Sequence, residues 1–345
     1  MTTKVRGITF RYSHTIGRRE FNGLGFRNPV ALARGEEDRI YVVSRSLEYR
    51  PDGKRVTICT VGEDFIGEFA RGVTTAGELK ASDADGSLIW PTSVALDKEG
   101  RVYVADEWLN RISVFTRDGE WLSKWGTPGN RDGEIDHPSG LAFDAEDNIY
   151  LVDSGNSRVQ KLSKDGRFLA KWGTAGSGDG EFHLPWGIDI DSNGDVYVAD
   201  WGNHRIQKFS PEGQFLMKFG TAGTGDGCFT HPTGVAVDKD GVIYVADWGN
   251  DRLQVFDADG KFATKITGNA TISKWGIEKL DANPDMWKER EVAHDLEQEV
   301  RFSWPIAVEV DDKGRVFVLE CGTHRIQTYR KVATFFLGLY DDARL

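Results

Sequence analysis

Short apolar runs, most of them five or six residues long, recur along this chain with polar turns between them. The run VYVAD ending at Asp200 is followed by the loop WGNHR, the run RIQKF, the turn PEG and the run QFLMKFG ending at Gly220. Val, Ile, Tyr and Phe dominate these runs, and Asp-Gly pairs at Asp118, Asp165 and Asp259 supply two-residue turns whose central positions favour positive φ. The pattern predicts short antiparallel strands joined by hairpins.

The strands come in repeated units. HPSGLAFD from His137, LPWGIDID from Leu184, HPTGVAVD from His231, WPTSVALD from Trp90 and WPIAVEVD from Trp304 are one motif, with a weaker copy, NPVALA, from Asn28. Pro91, Pro138, Pro185 and Pro232 are 47 residues apart, while the intervals Pro29 to Pro91 and Pro232 to Pro305 lengthen to 62 and 73 and carry insertions. Each unit reads as a four-stranded meander, which cannot cover both of its faces alone but does so when units stack radially. The expected fold is all-β: a six-bladed β-propeller of four-stranded antiparallel blades, forming a single domain over residues 1–345. Gly126, Gly173 and Gly220 stand 12 residues before the next motif proline, and Gly17 stands 12 before Pro29. Ile8 to Ile16 should therefore be an outermost strand, with the N-terminal strand completing the last blade.

Alternating strand direction sorts the connections onto two ends of the ring. The short turns fall below, and the long excursions, Ser44 to Arg55, Arg71 to Ile89 and Thr267 to Ser303, fall above. In the last of these, Asn283 and Pro284 read as the N-cap and first residue of a helix that puts Val292, Leu296 and Val300 on one side. Residues 267–303 are thus expected to form a small helical, lid-like insertion between blades five and six.

The same end gathers the candidate chemistry. Trp90, Trp186 and Trp304 flank the starts of first strands, Trp201 and Trp248 follow the motif Asp, and Arg45 and Cys321 stand in the two blades that depart from the motif there. Indole rings offer apolar area together with polar N–H groups, suited to small molecules or peptide side chains. Ala33, Ala95, Ala142 and Ala236 occupy one position of the first strand, where blades four and six carry Asp189 and Glu309. A carboxylate beside a channel is costly without a partner, so this pair is the expected catalytic acid and base, a seat for a divalent cation, or a binder of a cationic ligand group. His137 and His231 are weaker candidate metal ligands, since they precede motif prolines in different blades. The recurring pairs Asp106–Arg111, Asp153–Arg158, Asp200–Arg205 and Asp247–Arg252 are expected to tie second strands to third strands.

Composition narrows the partners. With 43 basic against 54 acidic residues the net charge is -11, which disfavours nucleic acid. No run approaches the length of a membrane span, and the N-terminal residues lack a secretory pattern. Three widely spaced cysteines suit free thiols, and the expected location is cytoplasmic.

The proline-led first strand, the Val-Ala-Asp end of the second and the Asn-x-Arg loop resemble the NHL repeat family. That resemblance implies a six-bladed propeller working as an enzyme, a protein- or peptide-binding scaffold, or an RNA-binding domain, the last of which the acidity opposes. The outline is similar to that of the peptidyl-hydroxyglycine amidating lyases, whose metal-binding histidines follow the motif proline. Val30, Thr92, Ser139, Trp186, Thr233 and Ile306 hold those places here, so that zinc pattern does not carry over. The functional expectation is a small-ligand-binding propeller, of lyase, hydrolase or isomerase type, acting at a tryptophan-lined channel mouth on the upper face.

Overall fold

A computed structural model describes residues 8–20, 24–46, 53–71, 84–292 and 299–333. Six four-stranded antiparallel sheets are arranged around a central channel, and their innermost strands pack side by side in a closed ring, the last against the first. Those innermost strands are Pro29–Arg34, Pro91–Leu96, Pro138–Phe143, Pro185–Ile190, Pro232–Val237 and Pro305–Val310. Proline suits the first position of such a strand because its missing N–H leaves the ladder intact there.

Strand β1 (Ile8–Ile16) pairs antiparallel with Arg325–Ala333, with Ile16 opposite Ile326, and so supplies the outermost strand of the sixth blade. The ring is closed by joining the two ends of the chain, as the glycine spacing implied. Apolar clusters fill the spaces between blades, and each second strand is buried on both sides, as in VYVAD ending at Asp200.

Three of the Asp–Arg pairs are side-chain ties within blades. Asp200 Oδ2 accepts from Arg205 Nε at 2.8 Å and from Asn203 and Gln207, while Oδ1 accepts the backbone N–H of His183 at 2.8 Å. Asp153 and Asp247 repeat the arrangement with Arg158 and Arg252, each at 2.7 Å. In the sixth blade Glu320 takes the aspartate's place and accepts from Arg325 at 2.8 Å. Ser44 does so in the first blade only in part, accepting the equivalent backbone N–H, that of Arg27, at 3.2 Å.

Among its described residues the insertion between blades five and six carries the helices α1 (Lys274–Asp281) and α2 (Pro284–Glu291). Asn283 caps α2 and Pro284 opens it, as expected, but the helix stops at Glu291, and residues 293–298, including Leu296, lie outside the described residues. The first helix was not foreseen. Its Trp275 is 1% exposed and packs edge-on against Phe26 and Phe65, and Arg18 donates to the Trp275 carbonyl. Glu63 accepts from the backbone N–H groups of Gly17 and Lys274. These contacts seat α1 on the outer rim, where β1 meets the first blade. No described helix is long and apolar enough to cross a membrane.

Candidate functional site

The upper mouth of the channel is a cavity of about 790 Å³ whose lining includes Trp186, Trp201, Trp248 and Trp304. Three positions of the repeat build it. The residue after the motif acid contributes Arg45, Glu107, Ser154, Trp201, Trp248 and Cys321, so every blade sends one side chain from this place. The residue after the motif proline contributes Val30, Trp186, Thr233 and Ile306, and the residue before that proline contributes Asn28, His137, Leu184 and Trp304. The second-to-third loops and the strand starts lie at the same end because strands one and two are antiparallel, as the pairing of Pro185 with Asp200 shows. Beside Trp186, Gly187 lets the fifth blade approach: a Cβ there would come within 2.2 Å of the Thr233 carbonyl oxygen.

Aromatic rings run along one side of the mouth. Trp201 stacks on His231 with centroids 4.0 Å apart, and Trp248 and Trp304 lie 6.1 Å apart at 34°. Across from them sits an ion pair, Arg45 Nη2 to Glu107 Oε1 at 3.1 Å, with the two side chains only 16% and 18% exposed. Arg45 Nε donates to the Pro91 carbonyl at 3.1 Å, and the guanidinium lies 4.8 Å from the Trp90 ring centroid and 5.9 Å from that of Trp186. Burial raises the Glu107 carboxyl, with Arg45 pulling it back, and burial lowers the Arg45 guanidinium. Close by, His137 Nδ1 is 2.7 Å from Asp136 Oδ1.

Of the residues expected here, Trp186, Trp201, Trp248, Trp304, Arg45, Cys321 and His137 line the cavity. Trp90 does not; it lies under Arg45 as a platform. Cys321 is half-buried, and burial pushes its thiol up to about 11, so at neutral pH it is a thiol and no nucleophile. His231 is turned to Trp201, and its backbone N–H is accepted by His204 Nδ1 at 3.1 Å. Among the described residues no group of three or more His, Cys, Asp or Glu side chains is placed to hold a metal ion, in the channel or elsewhere.

Asp189 and Glu309 are brought together, but not beside the tryptophans. They line a recess of about 180 Å³ with Arg34 and Lys239. The reason is strand rise: Asp189 lies three residues past Trp186, or about 10 Å further down the channel wall. A narrower stretch of about 60 Å³ lies between, sharing Trp186 and Thr233 with the mouth and Glu309 with the recess. Arg34 Nε is 3.5 Å from Glu309 Oε2, and Asp189 Oδ2 accepts from the Val237 N–H at 2.7 Å. About a third of the Glu309 side chain is exposed, yet that surface faces the narrow bore with protein all around it. Burial, and then the Glu309 charge, raises Asp189 to about 7. Glu107, Ser154 and Asp136 escaped notice in the sequence, although the first two occupy the repeat position that had already pointed to Trp201 and Trp248.

Fold and cavity together define a six-bladed β-propeller with an aromatic pocket at one mouth of its channel. Residues 88–115, 136–162, 182–209 and 229–256 match the NHL repeat, so four of the six blades are NHL repeats. The chain is similar to NHL repeat-containing protein 3 of Mus musculus, 33% identical over 105 residues, which are 30% of this chain and 27% of that protein. The match thus spans about a quarter of the relative's length. In three dimensions the chain is similar to a protein of unknown function from Bacteroides thetaiotaomicron, with TM-score 0.64 and 18% identity over 94% of this chain and 76% of that one. It is also similar to virginiamycin B lyase from Staphylococcus aureus in a structure with quinupristin, with TM-score 0.56 and 12% identity over 94% and 100% of the two chains. At these identities the likeness shows the fold alone.

Proposed function

We propose that this propeller binds a small organic molecule at its upper mouth. The observation that carries the reading is the meeting of four indoles from three blades around one cavity of about 790 Å³. That volume lies within the range of roughly 300–1,000 Å³ usual for small-molecule sites, and apolar walls with a few polar groups are their common composition. A propeller of similar outline that is a lyase, and whose structure includes an organic ligand, is in keeping with the reading. Saturation-transfer NMR with a fragment library tests it. Hits are expected for the wild type and lost in Trp201→Ala and Trp248→Ala variants of unchanged thermal stability. Hits that persist in both variants, or a complete absence of hits, would leave the protein-binding scaffold as the better account.

A second reading, catalysis of lyase, hydrolase or isomerase type, is favoured by two groups in the same cavity. The Glu107 carboxyl is raised above the usual carboxylate range by burial, which favours its holding a proton, and Asp136 holds the His137 ring through Nδ1, leaving Nε2 for a ligand. In this reading Glu107 and His137 take the acid and base roles that the sequence pattern gave to Asp189 and Glu309, because a ligand lying among the indoles is about 10 Å from the latter pair. Glu107→Gln should then abolish turnover of an identified ligand without abolishing its binding.

A further inference from the structure

We infer that the ligand of the upper cavity is a ring-bearing organic anion whose carboxylate pairs with Arg45, an inference that rests on the small-ligand reading above. Arg45 is the starting point because its hydrogen bonding is incomplete. A guanidinium carries five N–H donors in a flat fork. Here Nε is used by the Pro91 carbonyl, and Nη2 faces Glu107 at 3.1 Å outside hydrogen-bond geometry. Among the described residues Nη1 has no acceptor, although the side chain lines the cavity and is only 16% exposed. A cation so far removed from water and so sparsely hydrogen-bonded gains most from an anion with two oxygens, which can meet Nη1 and Nη2 together.

The surroundings fix the rest of the ligand. Trp90 and Trp186 hold the guanidinium in place from below and beside it, at 4.8 and 5.9 Å. Trp201, Trp248 and Trp304 present ring surface to the same cavity, where a flat apolar body can stack. Tryptophan faces also attract cations, and Glu107 and Asp136 add negative charge. The cation seat over Trp90 and Trp186 is, however, already taken by Arg45 itself, so a ligand ammonium placed there would meet like charge. Glu107 is then the internal stand-in for the ligand carboxylate, which must displace or share it.

Calorimetric titration with three matched probes, naphthoate, naphthylmethanol and naphthylmethylammonium, separates the possibilities. Naphthoate should bind roughly ten-fold more tightly than the alcohol, the scale of one charge-assisted hydrogen-bonded contact, with the ammonium weakest. Arg45→Gln should abolish the preference for naphthoate over the alcohol. Glu107→Gln, which keeps Arg45 and removes its competitor, should tighten naphthoate. Should the ammonium equal or exceed naphthoate, or the preference for naphthoate survive Arg45→Gln, the anion inference falls while small-molecule binding stands. If Arg45→Gln does not fold, a Glu107→Gln protein that binds naphthoate no better than the wild type overturns it. If none of the three probes binds, the small-ligand reading falls as well.

Discussion

The backbone N–H of Asn28 donates to Nδ1 of His324 at 3.0 Å, a clip across the seam where the sixth blade meets the first. The same clip recurs between other blades: Asn110 accepts from His137, His204 from His231, and Asp251 from Trp304. Donor and acceptor residues in all four clips have positive φ, which aims the acceptor side chain of one loop at the next motif. The clips set the residues before the prolines, and hence the rim of the cavity.

The His324 clip should make stability depend on pH. His324 is 5% exposed, and burial together with the nearby Arg27 and Arg19 charges lowers its pKa to about 4. Between about 6.5, the unfolded value, and about 4 the unfolded chain binds a proton that the folded one refuses, so stability falls with pH across that window. The loss at the lower end is about 3 kcal/mol. Urea unfolding from pH 7.5 to 4.5 checks the slope, with His324→Asn as control. Asparagine can accept the same N–H, as Asn110 does, and should flatten this component while keeping the clip; His324→Leu should cost about 1–3 kcal/mol at pH 7.5.

Asp189 carries the opposite sign. Its carboxyl is raised to about 7, so from about 3.9 upward the folded chain holds a proton that the unfolded one has lost, and stability falls as pH rises to about 7. Asp189→Ala, which restores the alanine of Ala33, Ala95, Ala142 and Ala236, should remove this dependence. The change in melting temperature on substitution is expected to be more favourable at pH 8 than at pH 5, where the lost bond to Val237 dominates. An equal change at both values would contradict the burial of a titrating Asp189.

Trp275 seats the first insertion helix on the closure seam. Trp275→Ala should cost about 3–5 kcal/mol. Hydrogen exchange should rise first in β1 and α1 and leave the blades between Pro91 and Phe256 protected. Uniform loss of protection would mean that the seam is no weaker than the rest of the ring.

The within-blade tie is a buried charge with several donors converging on it. Asp200→Ala strands Arg205 and frees the His183 N–H, and a loss of about 3–5 kcal/mol in urea unfolding is expected.

Repeat spacing made the architecture legible, including the closing strand, because Pro29 to Pro305 and Gly17 to Gly220 mark equivalent points of each blade. It also separated structural repetition, such as Asp200–Arg205, from positions that vary between blades. What it could not convey was depth along the channel. Asp189 and Trp186 share one strand, yet three residues of rise put them in different chambers. Nor could it convey that Arg45 covers Trp90, or that Trp275 finds a seat against Phe26, because both depend on contacts between segments far apart in the chain. Glu107 was within reach: it stands where Arg45, Trp201, Trp248 and Cys321 stand in their own blades.

The most direct measurement is a crystal structure of the protein soaked with a fragment that binds it in solution. The account predicts density at the upper mouth against Trp186, Trp201, Trp248 and Trp304, within reach of Arg45. Density confined to the recess of Asp189, Glu309 and Arg34, or to the outer rim, would contradict it.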